Sequence, residues 1–155
     1  MKVNYKTILT CLFIFIILGS SLSAKTGNET SGVGIILGNP TGLSFKFLDS
    51  GATHFNGGLS WSFKNETNLQ IHIDYIFKRF TPIYINRDFS LTPTMGIGGH
   101  LKTKDSELGV RVPFGLMYEF RETPFDMFIE IAPALDLIPA TDFEFSIAIA
   151  VRYLF

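Results

Sequence analysis

Cysteine is almost absent from this chain. Its 155 residues include one cysteine, Cys11, which lies inside an apolar run and is followed by Leu12 to Leu18. A lipid-anchored cysteine would instead come after such a run and begin a polar tether. We therefore assign Cys11 to a leader that is removed, which leaves no cysteine for a disulfide.

The chain also lacks an apolar run long enough to cross a bilayer as a helix. The run Ile8 to Leu18 is about half of the roughly 20 residues that a helical span needs. Two lysines precede the run, and the small-residue stretch Ser20 to Ala24 follows it. This three-part pattern predicts a secretory signal peptide over residues 1–24, cleaved after Ser23 or Ala24.

An excess of positive charge is missing as well. The chain has 13 basic and 14 acidic residues, and loss of Lys2 and Lys6 with the leader would leave 11 against 14. No basic patch is present, which excludes nucleic acid as a partner. Residues 25–155 are enough for one domain, and after a short polar lead no linker or repeat divides them.

Helical periodicity is missing from residues 25–155. Short segments of alternating apolar and polar residues recur instead, separated by turn residues. The eight predicted strands are Gly32–Gly38, Leu43–Leu48, Thr53–Phe63, Asn68–Lys78, Phe89–Lys102, Leu108–Phe120, Phe125–Leu135 and Phe143–Phe155. Eight strands are the smallest number that closes into a filled barrel, so we predict an all-β, antiparallel, up-and-down barrel. The long connection Arg79 to Asp88 leaves the register around residues 79–91 open.

Alternation alone fits two opposite barrels. A lipocalin-like barrel turns its apolar face inward, and a membrane barrel turns it outward. The polar face carries small residues in place of the lysine and glutamate of a solvated surface. Those small or uncharged residues are Ser44, Asn56, Gly58, Ser60, Gln70, Thr92, Thr94, Gly96, Gly98, Gly109, Gly115 and Ala132. They predict a narrow polar lumen and a transmembrane barrel.

Charged residues on the same face are expected to fill that lumen. Four bases and four acids suggest a balanced, salt-bridged plug, because isolated buried charges are costly. The predicted lumen network is Lys46, His72, Asp74, His100, Lys102, Arg111, Glu119, Glu130, Glu144 and Arg152. The other face sorts by depth into an aliphatic belt between aromatic girdles, as a membrane barrel requires.

Several stretches resemble a known family. They are Gly34–Ser44, Gly96–Lys102, Leu108–Pro113 and Ile129–Leu137, with the aromatic ending Tyr153 and Phe155. Together they resemble the small eight-stranded outer-membrane barrels related to the OmpA transmembrane domain, including OmpX- and Ail-like proteins, and most closely a spirochaetal barrel family. The resemblance implies a monomer in the cell outer membrane, surrounded by lipid. It also implies that Tyr153 and Phe155 act as the signal for the barrel-assembly machinery.

Catalysis and metal binding are not expected from the sequence. His72 and Asp74 share a face, but the neighbouring positions Gln70 and Ile76 supply no nucleophilic serine. The three histidines and the absence of further cysteine give no recognisable ligand spacing, so no metal or cofactor is expected.

Function is therefore assigned to the external loops, at about residues 38–41, 64–68, 103–107 and 136–142. The candidate loop contacts are Lys64, Glu66, Asp105, Glu107, Asp136 and Asp142. These loops are net acidic, which is compatible with a partner that has basic patches, such as a host protein. Solvated turns without a partner are the simpler explanation. A narrow channel and a soluble periplasmic lipocalin-like binder of a hydrophobic ligand remain the alternatives.

Overall fold

The computed structural model describes residues 30–39, 41–62, 68–86, 89–103 and 106–155. The predicted signal peptide and Cys11 lie outside these residues. So do three of the predicted loop contacts, Lys64, Glu66 and Asp105.

The described residues form ten strands. They are β1 Thr30–Asn39, β2 Gly42–Asp49, β3 Thr53–Ser62, β4 Asn68–Phe77, β5 Ile83–Tyr84, β6 Ser90–Lys102, β7 Glu107–Arg111, β8 Phe114–Glu119, β9 Phe125–Ile138 and β10 Asp142–Leu154. The part of the chain that the structure describes contains no helix that is long and apolar enough to cross a membrane.

The strands close into a barrel whose wall has eight antiparallel strand positions, here called staves. Each stave pairs with the next in chain order, and β1 pairs back onto β10, with Val33 opposite Tyr153 and Ile35 opposite Val151. One stave is interrupted: β7 and β8 both lie between β6 and β9, separated by Val112 and Pro113. Proline has no backbone N–H to donate to the ladder, which accounts for the break. The predicted eight-stranded barrel is confirmed.

The connection between β4 and β6, where the sequence left the register open, forms a small hairpin at one end of the barrel. Its short strand β5 pairs only with the beginning of β6, with Ile83 opposite Leu91 and Tyr84 opposite Ser90. The side-chain amide oxygen of Asn86 accepts a hydrogen bond from the Phe89 N–H at 2.8 Å, which closes the turn. The connection thus extends the β6 ladder without adding a stave to the barrel.

The side chains of the staves sort by charge between the two faces. Outward-facing strand positions among the described residues carry no Asp, Glu, Lys, Arg or His, and many are exposed apolar residues such as Ile97 and Ile147. Inward-facing positions carry the charged residues together with many small, uncharged polar or apolar ones. The buried apolar residues of the lumen are Ile36, Ile76, Met117, Phe128, Ala132, Ala148 and Ala150. The predicted polar lumen is therefore confirmed, and it contains buried salt bridges.

Candidate functional site

Charged side chains fill the lumen from end to end in three clusters. One end of the barrel, here the Thr30 end, is where β1 begins and β10 finishes. The opposite end, here the Asn39 end, is where β1 finishes and β10 begins. Because the inward positions of antiparallel strands lie side by side, each cluster draws its members from several strands.

At the Thr30 end the ammonium group of Lys46 is surrounded by carboxylates. Its Nζ lies 2.7 Å from Asp49, 3.2 Å from Glu119 and 3.1 Å from Asp126. Lys78 Nζ shares two of these partners, at 2.8 Å from Asp49 and 3.4 Å from Glu119. Two lysines and three carboxylates thus cross-link β2, the end of β4, β8 and β9.

Arg152 completes the same cluster from β10. Its Nε and Nη2 donate to the two carboxylate oxygens of Asp126 at 2.8 and 2.9 Å. Its Nη1 donates to the Asn56 side-chain oxygen at 2.6 Å, and the guanidinium lies 4.5 Å from the Phe128 ring centre. Such a bidentate pair fixes orientation as well as charge, because both groups are planar.

The middle of the lumen holds a looser cluster. Arg111 forms a close hydrogen bond with Glu130, and its Nε lies 3.3 Å from an oxygen of Asp74. His72 Nε2 lies 3.9 Å from the other oxygen of Asp74. Neither Asp74 oxygen has a hydrogen-bond partner among the described residues, although the side chain is fully buried. Buried polar groups of this kind are the usual sites of internal water.

At the Asn39 end one lysine is again the centre. Lys102 Nζ lies 2.8 Å from Glu107, 3.2 Å from Asp136 and 2.5 Å from Glu144. The imidazole of His100 forms a 2.5 Å hydrogen bond through Nε2 with Asp136. Four strands, β6, β7, β9 and β10, therefore meet at this cluster.

The structure brings the predicted network together but corrects two of the loop contacts. Asp136 is not a loop residue, because β9 continues past the predicted end at Leu135 and turns this carboxylate into the lumen. Glu107 begins β7 and is held by Lys102 at the mouth of the barrel. Asp142 is exposed at the Asn39 end, where it begins β10 opposite Asp136, and its role as a loop contact stays a prediction.

The expected balance of charge is wrong. Three further charged residues, Asp49, Lys78 and Asp126, join the lumen clusters, and Asp136 and Glu107 are added from the loops. The described network then holds five basic side chains against eight carboxyl groups. Asp126 and Lys78 share the inward parity of their strands, so the alternation contained the signal that would have found them.

Asp49 could not be found by counting alternate residues. Next to it Leu48 has a positive φ of 54°, and the β1–β2 register shifts at this point. The irregularity turns Leu48 outward and the following Asp49 inward. Simple alternation would place Leu48 inward and Asp49 outward, so the irregularity exchanges the faces of these two residues.

Two small cavities lie in the lumen. A cavity of about 10 Å³ lies beside His54 and Arg152, and another of about 20 Å³ beside His100 and Glu144. Each has room for about one water molecule. The charged groups are therefore held by one another, and the two cavities give no space for an organic ligand.

The two residues of the predicted assembly signal lie on the closing strand. Tyr153 and Phe155 both point to the exposed side of the barrel. The backbone of Phe155 exchanges two hydrogen bonds with Ser31, at 3.1 and 2.8 Å, which closes the ladder between β10 and β1. Recognition of this strand by an assembly machinery stays a prediction.

Comparison with known protein families identifies the family of this chain. Residues 22–154 match the family described as "Protein of unknown function (DUF3996)", and the chain belongs to that family. No curated protein matches the chain. No solved structure matches it either.

Proposed function

We propose that this chain is an integral protein of the bacterial outer membrane, with a structural or surface-interaction role and no catalytic activity. The observation that carries the proposal is the distribution of charge across the barrel wall. Charged residues within the described staves face the lumen, and the outward positions between them are uncharged. In water this arrangement would expose a large continuous apolar surface, whereas in a bilayer it places each face in a suitable solvent.

The outer surface has a second property that a membrane favours. Aromatic rings at the Thr30 end form three separate groups of contacts. The pairs are Phe47–Phe55, Phe55–Tyr75, Tyr75–Phe77, Phe89–Tyr118, Tyr118–Phe120 and Phe125–Tyr153, with ring centres 4.6 to 5.6 Å apart. Toward the Asn39 end, Trp61, Phe143 and Phe145 are exposed, and the belt between the two groups is mainly aliphatic. Aromatic girdles of this type mark the two interfaces of membrane barrels.

The orientation follows the resemblance to OmpA-, OmpX- and Ail-like barrels. In this proposal the Thr30 end faces the periplasm and the Asn39 end faces outward, where Asp142 and the short connections would meet partners such as host proteins. The barrel-assembly machinery would act on the strand that contains Tyr153. The barrel is proposed to act as a monomer surrounded by lipid.

The two alternatives have less support. A lipocalin-like binder needs an apolar lumen of a few hundred Å³, whereas this lumen is charged, and the cavities beside Arg152 and Glu144 are about 10 and 20 Å³. A channel needs a continuous water path, and three clusters of linked charges lie across the lumen. We therefore favour the filled membrane barrel.

Spin labels at single cysteines would test the membrane location. The only native cysteine is Cys11, in the predicted leader, so a label at residue 147 or residue 142 would be unique in the processed protein. In lipid vesicles a label at residue 147 should be more accessible to oxygen than to a water-soluble nickel chelate. A label at residue 142 should show the reverse order. A label at residue 147 that meets the nickel chelate as freely as one at residue 142 would contradict the proposal.

A further inference from the structure

We propose that the Asn39 end of the lumen contains a binding site for a divalent first-row transition metal ion, with Zn²⁺ as the best-fitting example. Its ligands would be His100, Asp136 and Glu144. One ligand atom from each of these residues lies within 4.8 Å of the other two. Two atoms bound to one zinc ion at about 2.0 to 2.2 Å are at most about 4.4 Å apart, so a small movement of the half-exposed Glu144 side chain would bring all three atoms onto one ion.

The three ligands come from rigid neighbouring strands. His100 lies on β6, Asp136 on β9 and Glu144 on β10. His100 and Asp136 are buried and already in contact, whereas the Glu144 side chain is 45% exposed. The site is thus held on two sides and open on the third, which gives an ion a path from solvent.

The fold already places a cation at this position. Three carboxylates, from Glu107, Asp136 and Glu144, converge on the single ammonium group of Lys102. Carboxyl groups therefore outnumber the ammonium group three to one. A divalent ion would compensate their negative charge more fully than the ammonium group does. Lys102 has a flexible side chain and could keep Glu107 as its partner when the ion takes the other two carboxylates.

The donor set also selects the kind of metal. An imidazole nitrogen with two carboxylate oxygens suits zinc and its first-row neighbours, whereas Ca²⁺ takes oxygen ligands alone. The cavity of about 20 Å³ beside His100 and Glu144 has room for one water, the usual fourth ligand of an open zinc site. Bound metal would join β6, β9 and β10 at the mouth of the barrel.

Sequence reasoning could not have found this site. The three histidines are far apart along the chain, and only His100 contributes to the ligand set. The carboxylates come from two other strands, and the sequence pattern places Asp136 in a loop. The inference does not depend on the membrane location, because it concerns the lumen and not the outer face.

Calorimetric titration of the purified, untagged protein with ZnCl₂ would test the site. We expect saturable binding of Zn²⁺ and none of Ca²⁺. His100→Gln and Glu144→Gln should each weaken Zn²⁺ binding at least as much as the roughly 10- to 100-fold that loss of an outer-shell partner costs. Asp142→Asn is the matched control, since it neutralises an exposed carboxylate at the same end and should leave the affinity unchanged.

Lys102→Met gives the decisive result, because it removes the competing ammonium group. Zn²⁺ should then bind about tenfold more tightly than to the unchanged protein, and it should raise the unfolding temperature further. A rise in unfolding temperature on addition of Zn²⁺ requires a folded protein, so the two results together separate metal binding from damage to the barrel. Absence of Zn²⁺ binding in both proteins, binding unaffected by His100→Gln, or equal binding of Ca²⁺ would each overturn the proposal.

Discussion

Arg152 and Asp126 lie directly opposite each other on neighbouring strands, and both are 0% exposed. Two hydrogen bonds of 2.8 and 2.9 Å join the guanidinium to the carboxylate. Lys46 contacts the same carboxylate at 3.1 Å, so Asp126 compensates two buried cations. One side chain thus connects β2, β9 and β10 across the Thr30 end of the lumen.

Asp126→Leu should strongly destabilise the barrel. The substitution leaves Arg152 and Lys46 buried with too few partners, and loss of one member of a buried ion pair typically costs about 3 to 5 kcal/mol. The free energy of unfolding in urea, measured on detergent-refolded protein, checks this. The control is Asp142→Leu, which removes an exposed carboxylate and should change the free energy by less than about 0.5 kcal/mol. Similar effects of the two would mean that the lumen pair contributes little.

Gly98→Ala and Gly99→Ala should differ in their effect on stability. A Cβ at Gly98 would lie well inside van der Waals contact of Asp74 Oδ1 and the Ile73 carbonyl oxygen. A Cβ at Gly99 would face outward, with Gly109 O as its nearest neighbour at 3.5 Å. Overpacking typically costs about 1 to 3 kcal/mol of stability. Only Gly98→Ala should therefore have an unfolding midpoint at a clearly lower urea concentration. Equal midpoints would show that the lumen has more room beside Asp74.

Ile147→Lys should impair folding into a bilayer. Ile147 is 53% exposed and lies opposite Ile131, near the middle of the proposed belt. A lysine at the bilayer midplane costs about 2 to 4 kcal/mol on the lipid face of a barrel. The yield of protein folded into phospholipid vesicles measures this effect, with Asp142→Lys as the control at the rim. A protein that folds equally well with either lysine would count against the proposed topology.

The unmodified protein should show no unit conductance in a planar lipid bilayer. Arg111 lies across the middle of the lumen, paired with Glu130 and close to Asp74, and we expect this cluster to obstruct a water path. An Arg111→Ala, Glu130→Ala double variant removes this obstruction and should admit water and small ions. Stable current steps in the unmodified protein, unchanged in the double variant, would instead favour the channel.

Alternation along the chain was enough to predict the barrel and its eight staves, and the small residues of the polar face were enough to predict which face turns inward. The period of two is a local property of extended backbone, so it can be read without knowing which strands pair. Lys46, Asp74, Arg111 and Arg152 were found in this way. Asp126 and Lys78 have the same parity and were accessible to the same reasoning.

The partners of these charges could not be predicted, because they depend on register. The contacts between Lys46 and Asp126, or between Lys102 and Glu144, join strands whose relative offset is fixed only when the barrel closes. The boundary of β9 and the irregularity at Leu48 had no clear local signal either. Because of these two details, Asp136 and Asp49 face inward. Both carboxylates add to the excess of carboxyl groups in the lumen.

Refolding of residues 25–155 tests the central claim, an apolar outer face that requires a membrane. The chain would be refolded in detergent and in plain buffer, and each product would be run on a gel with and without boiling. We predict a β-type spectrum and a heat-dependent mobility shift in detergent, with aggregation in plain buffer. A chain that folds in plain buffer, stays monomeric and shows no shift would contradict the membrane barrel.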